Sequence, residues 1–339
     1  MRIGLIAPPW VPVPPPAYGG TEEVVDLLAR GLVAAGHEVL LGAASDSTCP
    51  VPLVPGTAAS DTEALNESTS QLAHVVVSYD GMGGVDLVHD HTVVGPLYRG
   101  RPPDVPVVIT NHGPFTGDTL TLFRAMSRDT AIVAISADHA SHANGVPITR
   151  VIHHGLDVAR VPVGSGRGGY AAMLARMSPT KGVVEALQIA RAAGVPLRIA
   201  ARLAEPGEIA YFESEVKPLL TSEHTYIGEV SAAEKYALLG EAFALLNPIQ
   251  WSEPFGLAMI ESLASGTPVM ATPRGAAPEI VRHGETGFLG PVEELAAQLV
   301  AAASLDRARC RADVEERFSA QRMVADHIAL YEDLLARHR

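Results

Sequence analysis

The stretch Gln250-Trp251-Ser252-Glu253-Pro254-Phe255-Gly256-Leu257-Ala258-Met259-Ile260-Glu261 decides how the rest of the chain is read. An apolar run at 242–246 leads into Asn247-Pro248, as a strand buried in a sheet does, and a short loop then enters a helix near Gly256. Glu253 falls at the loop-to-helix join and Glu261 about two turns further along. A helix N-terminus attracts anions, because its first N–H groups lack acceptors and the macrodipole is positive there. A carboxylate beside it collects ligand hydroxyl groups instead. The combination suits a molecule carrying both phosphates and sugar hydroxyls.

Outward from this stretch, the chain reads as repeated strand–helix units. Residues 2–7 form an apolar strand, followed by the rigid loop 8–16 and then Gly19-Gly20-Thr21-Glu22-Glu23. Thr21 is expected to cap the helix that Val24, Leu27, Leu28 and Leu32 mark by spacing, with Gly36 ending it. The pair Gly19-Gly20 lies just before that helix, where a backbone without side chains either approaches a phosphate or simply supplies a positive φ. Strands follow at 37–41, 85–89, 105–110 and 131–136, with helices around 63–79 and 120–127 and a strand and turn at 151–157. The Pro/Gly-rich segment 161–169 reads as a linker. Its Gly164-Ser165-Gly166-Arg167-Gly168-Gly169 precedes a strand, so it makes a poor dinucleotide fingerprint. A second series has strands at 171–175, 197–201, 225–230, 242–246 and 268–272 and helices at 183–193 and near Pro278. Residues 293–339 are helical, and Arg307, Arg309, Arg311, Glu315 and Glu316 read as a solvated face. Such alternation means α/β architecture with doubly wound parallel sheets, whose ligands bind beyond the carboxyl ends of strands.

Composition narrows the function. The 339 residues suffice for two domains, and 47% are hydrophobic against 19% charged, as in globular proteins. A formal net charge of −13 with three lysines (Lys181, Lys217, Lys235) argues against nucleic acid and against an anionic membrane surface, which want basic faces. Cys49 and Cys310 offer neither a disulfide framework nor metal spacing. The apolar start is cut short by Pro8-Pro9 and lacks a basic leader, so a cytoplasmic location is expected.

Three further features carry chemistry. Arg176 and Lys181 flank a strand-end loop, and they are either a solvated pair or, with the start of the following helix, suited to neutralise about two phosphate charges without a metal. His112 ends a strand and is followed by Gly113-Pro114, which fixes it at the sheet rim or makes it a satisfied structural histidine. His89 and His91 share a face if their strand persists, but no third ligand accompanies them, so a metal site is not expected.

Taken together, Ser252-Glu253-Pro254-Phe255-Gly256 with Glu261, Gly266-Thr267-Pro268-Val269, Gly284-Glu285-Thr286-Gly287-Phe288, Ala175-Arg176-Met177-Ser178-Pro179-Thr180-Lys181-Gly182, Gly19-Gly20 and His112 resemble retaining glycosyltransferase family 4 over nearly the whole chain. The resemblance implies a GT-B fold: two Rossmann-like domains with an intervening cleft. It places an acceptor-side domain at 1–162, rejoined by a C-terminal helix at about 320–339, and a nucleotide-sugar-binding domain at 163–319. It implies a nucleoside diphosphate sugar as donor, with no cofactor and no metal. Arg176 and Lys181 would hold the diphosphate, Glu261 the ribose, and Glu253 the donor sugar; N–H groups at Phe255, Gly256 and Leu257 would assist. Gly19 and Gly20 would approach the phosphate, and His112 would meet the donor sugar and acceptor. Ala175 and Met177 stand where the family has glycine and leucine, and His154 where it often has asparagine, so no role passes to His154.

A soluble small-molecule or saccharide acceptor, as in natural-product biosynthesis, is the expected partner. Glu22, Glu23 and Asp26 on the first helix weigh against the alternative, a lipid acceptor at a membrane surface. A non-catalytic sugar-nucleotide-binding protein is the other alternative.

Overall fold

The structure, a computed structural model, describes residues 1–17, 19–65 and 67–338. It divides into two compact units, Met1–Leu156 with Ala320–Arg339, and Asp157–Ser319. The division falls slightly before the expected 162, because the segment after Leu156 is bonded to the second unit. There Arg311 donates to the carbonyls of Val158 and Val161, and Arg307 to that of Gly164.

The first unit is built on β1 (Arg2–Ile6), β2 (Glu38–Gly42), β3 (Leu87–Asp90), β4 (Val107–Thr110), β5 (Thr130–Ala134) and β6 (Arg150–Val151). These make one six-stranded parallel sheet in the order β2-β1-β3-β4-β5-β6. Strands β1, β3 and β4 are buried on both faces, which is why their sequences run apolar instead of alternating. Helices α1 (Gly20–Ala34), α2 (Ser68–Asp80), α3 (Gly117–Met126) and α4 (Ala137–Ser141) belong to this unit, as does the C-terminal helix Ala320–His338. Gly31 of α1 lies against Val324 of that helix, so closely that a side chain at 31 would collide with it.

The order of the sheet reverses between β1 and β3. Ligand crevices of open α/β sheets form outside the carboxyl ends of strands at such a reversal. The segments leaving those ends are the loop to α1 after β1, Asp90-His91-Thr92 after β3, and Asn111-His112-Gly113 after β4.

In the second unit β7 (Ala171–Arg176), β8 (Leu197–Arg202), β9 (His224–Gly228), β10 (Ala244–Asn247), β11 (Val269–Ala271) and β12 (Gly287–Leu289) form a parallel sheet in the order β12-β11-β10-β7-β8-β9. Here the reversal lies between β7 and β10. Its helices are α5 (Val183–Ala193), α6 (Pro206–Tyr211), α7 (Ala232–Glu241), α8 (Leu257–Ala264), α9 (Ala277–Ile280), α10 (Val292–Gln298) and α11 (Arg307–Arg317). The core between sheet and helices is built from residues such as Met173, Leu187, Ile199, Leu246 and Met270.

Several local expectations are corrected. Thr21 does not cap α1; the helix begins at Gly20 with Gly19 at the N-cap and no side-chain cap bond, and Glu23 N–H donates to the Gly19 carbonyl. Gly19 itself is extended, at φ 161°, so it is needed for room: a Cβ there would sit 2.6 Å from Pro15. The helix placed at 63–79 starts at Ser68, and the strand placed at 151–157 shrinks to Arg150–Val151. The tail 293–339 is not one helical run. Asp306 caps α11 by accepting from Ala308 N–H, and Phe318-Ser319 separates α11 from the C-terminal helix.

The charged face expected on α11 is only partly solvated. Arg307 is half-buried and donates to the carbonyls of Gly164, Gly240, Ala242 and Ser265 and to the Thr267 hydroxyl. A guanidinium carries five donors in a rigid fork, so one side chain can join carbonyls from several loop and helix ends at once.

Candidate active site

The second unit assembles the carboxylates. Strand β7 ends at Arg176, and the loop after it turns through Gly182, which is left-handed at φ 74°. A Cβ on Gly182 would lie 2.0 Å from the Pro248 carbonyl oxygen, so only glycine lets this loop approach the loop leaving β10. The two loops are joined directly, Gln250 N–H donating to the Thr180 carbonyl at 2.9 Å. Behind them, Gly275 presses on the Glu253 backbone, where an added Cβ would meet Glu253 N and O at 2.3 Å. Backbone packing from both sides thus fixes the position of residue 253.

The result is an ion pair between Lys181 Nζ and Glu253 Oε2. Trp251 Nε1 donates to the same oxygen at 2.9 Å, and its ring lies 5.5 Å from the lysine nitrogen. Oε1 of Glu253 carries no hydrogen bond among the described residues. Glu261 repeats the arrangement. It sits in α8, whose residues 259–264 are all buried, and Oε1 takes Lys235 Nζ at 2.5 Å while Oε2 takes no partner among the described residues. Each carboxylate therefore has one oxygen neutralised by a lysine and one left to accept from a hydroxyl.

Two of the three lysines in the chain are spent on these two glutamates. Lys235 was not singled out in the sequence, since 26 positions separate it from Glu261, but lysine scarcity was the available signal.

Arg176 is not part of that pair. Its guanidinium lies 3.8 Å from Glu205 and 3.7 Å from Glu208, and Arg202 shares both carboxylates at 3.4 and 3.8 Å. Both arginines end neighbouring strands, β7 and β8, which pair in register at these residues. Phe255 is buried against Phe318, ring centres 6.0 Å apart, and anchors the turn into α8. Gly256 takes φ 100° and Leu257 opens the helix, so the first N–H groups of α8 lie at the carboxyl edge of the sheet.

The first unit holds the remaining candidates. Gly20 opens α1, and Glu22 in its first turn is 6% exposed, with burial pushing its carboxyl up to about 7. Asp26 is buried as well and pairs with Arg30 at 2.7 Å. Glu22 and Asp26 therefore do not belong to the solvent face of the helix, and of the three acids read against a membrane surface only Glu23 is partly exposed.

His112, half-buried beyond β4, bonds through Nε2 to His91 Nδ1 at 2.9 Å and stacks on His154 at 5.1 Å between ring centres. His91 in turn lies on His89, 4.1 Å away. His89 is fully buried, with Nδ1 2.6 Å from the Tyr331 hydroxyl and Nε2 2.8 Å from Thr110 Oγ1. The shared face expected of His89 and His91 thus serves a hydrogen-bonded histidine cluster, and no metal-binding group of three or more ligating residues occurs among the described residues.

Burial, with the neighbouring histidines adding repulsion, drives this cluster neutral. His112 drops to about 3, and His89, His91 and His154 fall well below the usual histidine value; His327 drops to about 4 mainly through burial. Asp90 beside them rises to about 6 by burial, against the hydrogen bonds it accepts from Thr92 and Tyr79.

Two parallel α/β sheets thus present glycine-shaped loops, lysine-paired carboxylates and a rim histidine at their strand ends. Residues 165–318 match the family model described as Glycosyl transferases group 1, and residues 18–160 the model described as Glycosyltransferase Family 4. The N-acetyl-alpha-D-glucosaminyl L-malate synthase of Bacillus anthracis is 29% identical over 119 residues, 32% of this chain and 30% of that protein. The phosphatidyl-myo-inositol mannosyltransferase of Mycobacterium leprae is 27% identical over 334 residues, 88% of this chain and 85% of that protein. Among solved structures, AviGT4, a glycosyltransferase involved in avilamycin A biosynthesis, is 25% identical with a TM-score of 0.77, covering 99% of this chain and 98% of that one. Alr3699/HepE of Anabaena, solved with UDP and glucose, shares the fold at 17% identity and a TM-score of 0.75, covering 98% and 99%.

The chain belongs to the GT-B glycosyltransferases of the family 4 type, enzymes that use nucleotide-sugar donors. None of the described helices is long and apolar enough to cross a membrane.

Proposed function

We propose that the protein transfers a sugar, with retention of anomeric configuration, from a nucleoside diphosphate sugar to a hydroxyl of a soluble small-molecule or saccharide acceptor. The observation that carries this reading is the matched pair Lys181–Glu253 and Lys235–Glu261 at the carboxyl edge of the second sheet. Free Glu261 Oε2 is suited to a ribose hydroxyl and free Glu253 Oε1 to a hydroxyl of the donor sugar. Diphosphate draws on Lys181, on Arg176 and on the backbone N–H groups of Phe255, Gly256 and Leu257 around the start of α8.

In this mechanism the diphosphate leaves as positive charge develops at the anomeric carbon. Fixed cations and N–H dipoles stabilise the leaving charge in place of a metal, and such preorganised electrostatics is the main catalytic term. A phosphate oxygen takes the acceptor proton as the hydroxyl attacks the face the leaving group vacates. Glu253 positions and supports charge and does not form a covalent bond. Gly19 and Gly20 are assigned to the donor phosphate and His112 to the donor sugar and acceptor. AviGT4, similar over the full length, supports a natural-product acceptor.

A thermal-shift panel of nucleoside diphosphates and their sugars tests the donor. Stabilisation by one base series is expected, and no stabilisation by any member would overturn the proposal. NMR of the transferred sugar then reads the anomeric configuration, with inversion contradicting the mechanism. Localisation in the cytoplasm goes with the same proposal.

A further inference from the structure

His112 and His91 share one hydrogen bond between two uncharged rings, so that bond contains a single N–H. Two arrangements satisfy it. In one, His91 Nδ1–H donates to His112 Nε2, the His112 proton sits on Nδ1, and His91 Nε2 is a bare lone pair. In the other, His112 Nε2–H donates, His112 Nδ1 is bare, and His91 must carry its proton on Nε2.

The environment of His91 Nε2 separates them. His91 is 4% exposed, and its Nε2 has no hydrogen-bond partner among the described residues. The second arrangement therefore buries an N–H without an acceptor, which native structures avoid more strongly than an unfilled acceptor. His91 is itself held against rotation. Its ring lies against that of His89, tilted by 34°, and His89 is bonded on one nitrogen to Tyr331 of the C-terminal helix and on the other to Thr110 of β4. His112 is clamped from its other side by the nearly parallel ring of His154, at an interplanar angle of 18°.

We infer that His91 is a positioning residue that fixes His112 in the tautomer with its proton on Nδ1, so that His112 meets its ligand as a hydrogen-bond donor and not as a base. The inference rests on the reading of His112 as a ligand-facing residue, and it deepens that reading. A donor at this place suits an oxygen of the donor sugar or of the leaving phosphate. It excludes His112 from deprotonating the acceptor, which leaves that step to the phosphate oxygen. The C-terminal helix gains a part in the site through Tyr331, which holds the far end of the histidine row.

Selective 15N-histidine labelling of the full-length protein, with long-range proton–nitrogen correlation spectra, reads the tautomer directly; the signals missing in His112→Gln identify residue 112. The expected result is a pyrrole-type Nδ1 and a pyridine-type Nε2 for His112. The reverse pattern would overturn the inference whatever the reaction proves to be.

A kinetic arm uses His91→Asn, whose amide offers an N–H near the place of Nδ1, against His91→Leu, which offers none. With melting curves confirming that both fold, kcat in the leucine variant is expected to fall roughly tenfold, the scale of one hydrogen bond, and to recover in the asparagine variant with donor KM unchanged in both. Equal losses in the two variants would reduce His91 to packing. Full activity in His112→Gln would instead remove His112 from the site while leaving the tautomer result standing.

Discussion

The two units share a six-stranded parallel sheet with a reversal of strand order, yet their sheet edges are electrically opposite. At the edge of the second, full charges face one another: Lys181 with Glu253, Lys235 with Glu261, Arg176 and Arg202 with Glu205 and Glu208. The first has had its charge removed by burial. His89, His91, His112 and His154 are held neutral, and Glu22 and Asp90 are pushed up toward neutral pH. A ligand carrying phosphates needs fixed cations, and cations kept in pairs avoid an uncompensated charge while the ligand is absent. Neutral polar groups instead recognise hydroxyls without competing for the leaving charge. One architecture thus supplies two kinds of surface by differing in what its strand ends bury.

The largest effect expected from this contrast is acid sensitivity concentrated in the first unit. A buried histidine such as His327, lowered from 6.5 to about 4, stays unprotonated in the folded state while the unfolded chain takes up its proton. Stability is therefore whole above about pH 6.5 and is lost as pH falls toward 4, on the order of 3 kcal/mol for this one group. Several other histidines add to it, outnumbering the opposing gains from Glu22 and Asp90. Hydrogen exchange between pH 7 and 4 is expected to show residues of β1, β3 and β4 losing protection before those of β7, β8 and β10. Equal loss in both sheets would break the comparison.

A smaller effect of opposite sign belongs to Glu22. Its folded value of about 7 exceeds the 4.5 of a free carboxyl, so its contribution is fully present below 4.5 and lost as pH rises through 7. Glu22→Gln removes the cost of ionising a buried group. The variant is expected to be more stable at pH 8 by on the order of 3 kcal/mol, with the gap closing near pH 4. Denaturant titrations at the two pH values check this, and a pH-independent gap would mean that Glu22 is not a buried titrating group.

The smallest effect concerns Trp251, which adds one hydrogen bond to a carboxylate oxygen already paired with Lys181. Trp251→Phe keeps a ring near the lysine but loses that bond. Donor affinity is expected to fall by about 0.5–1.5 kcal/mol, the net worth of an ordinary hydrogen bond. A loss as large as that from removing Lys181 would sharpen the account by making the indole part of the sugar contact.

Much of this was legible in the sequence for a physical reason. Strands buried on both faces write themselves as apolar runs, and residues 2–7 and 242–246 were placed within two residues of β1 and β10. Because loops at the carboxyl ends follow at once, Arg176, Lys181, Glu253 and His112 were placed at strand ends as well.

What escaped depends on partners far away in the chain. Nothing near Glu261 announces Lys235, and nothing near Gly164 announces Arg307, which looks on its own helix like any solvated arginine. Glu22 reads as an exposed helix-start acid until α1 is seen buried along 24–29. The pairing of His91 with His112 needs β3 and β4 to be neighbours in register, which only the sheet order provides.

Calorimetric titration of the nucleoside diphosphate sugar into wild type, Lys181→Ala and Glu261→Gln tests the central claim, that the lysine-held carboxylates form the donor site. Each substitution is expected to weaken binding by roughly 1.5–3 kcal/mol, the scale of a hydrogen bond to a charged group. Unchanged donor affinity in both variants would contradict it.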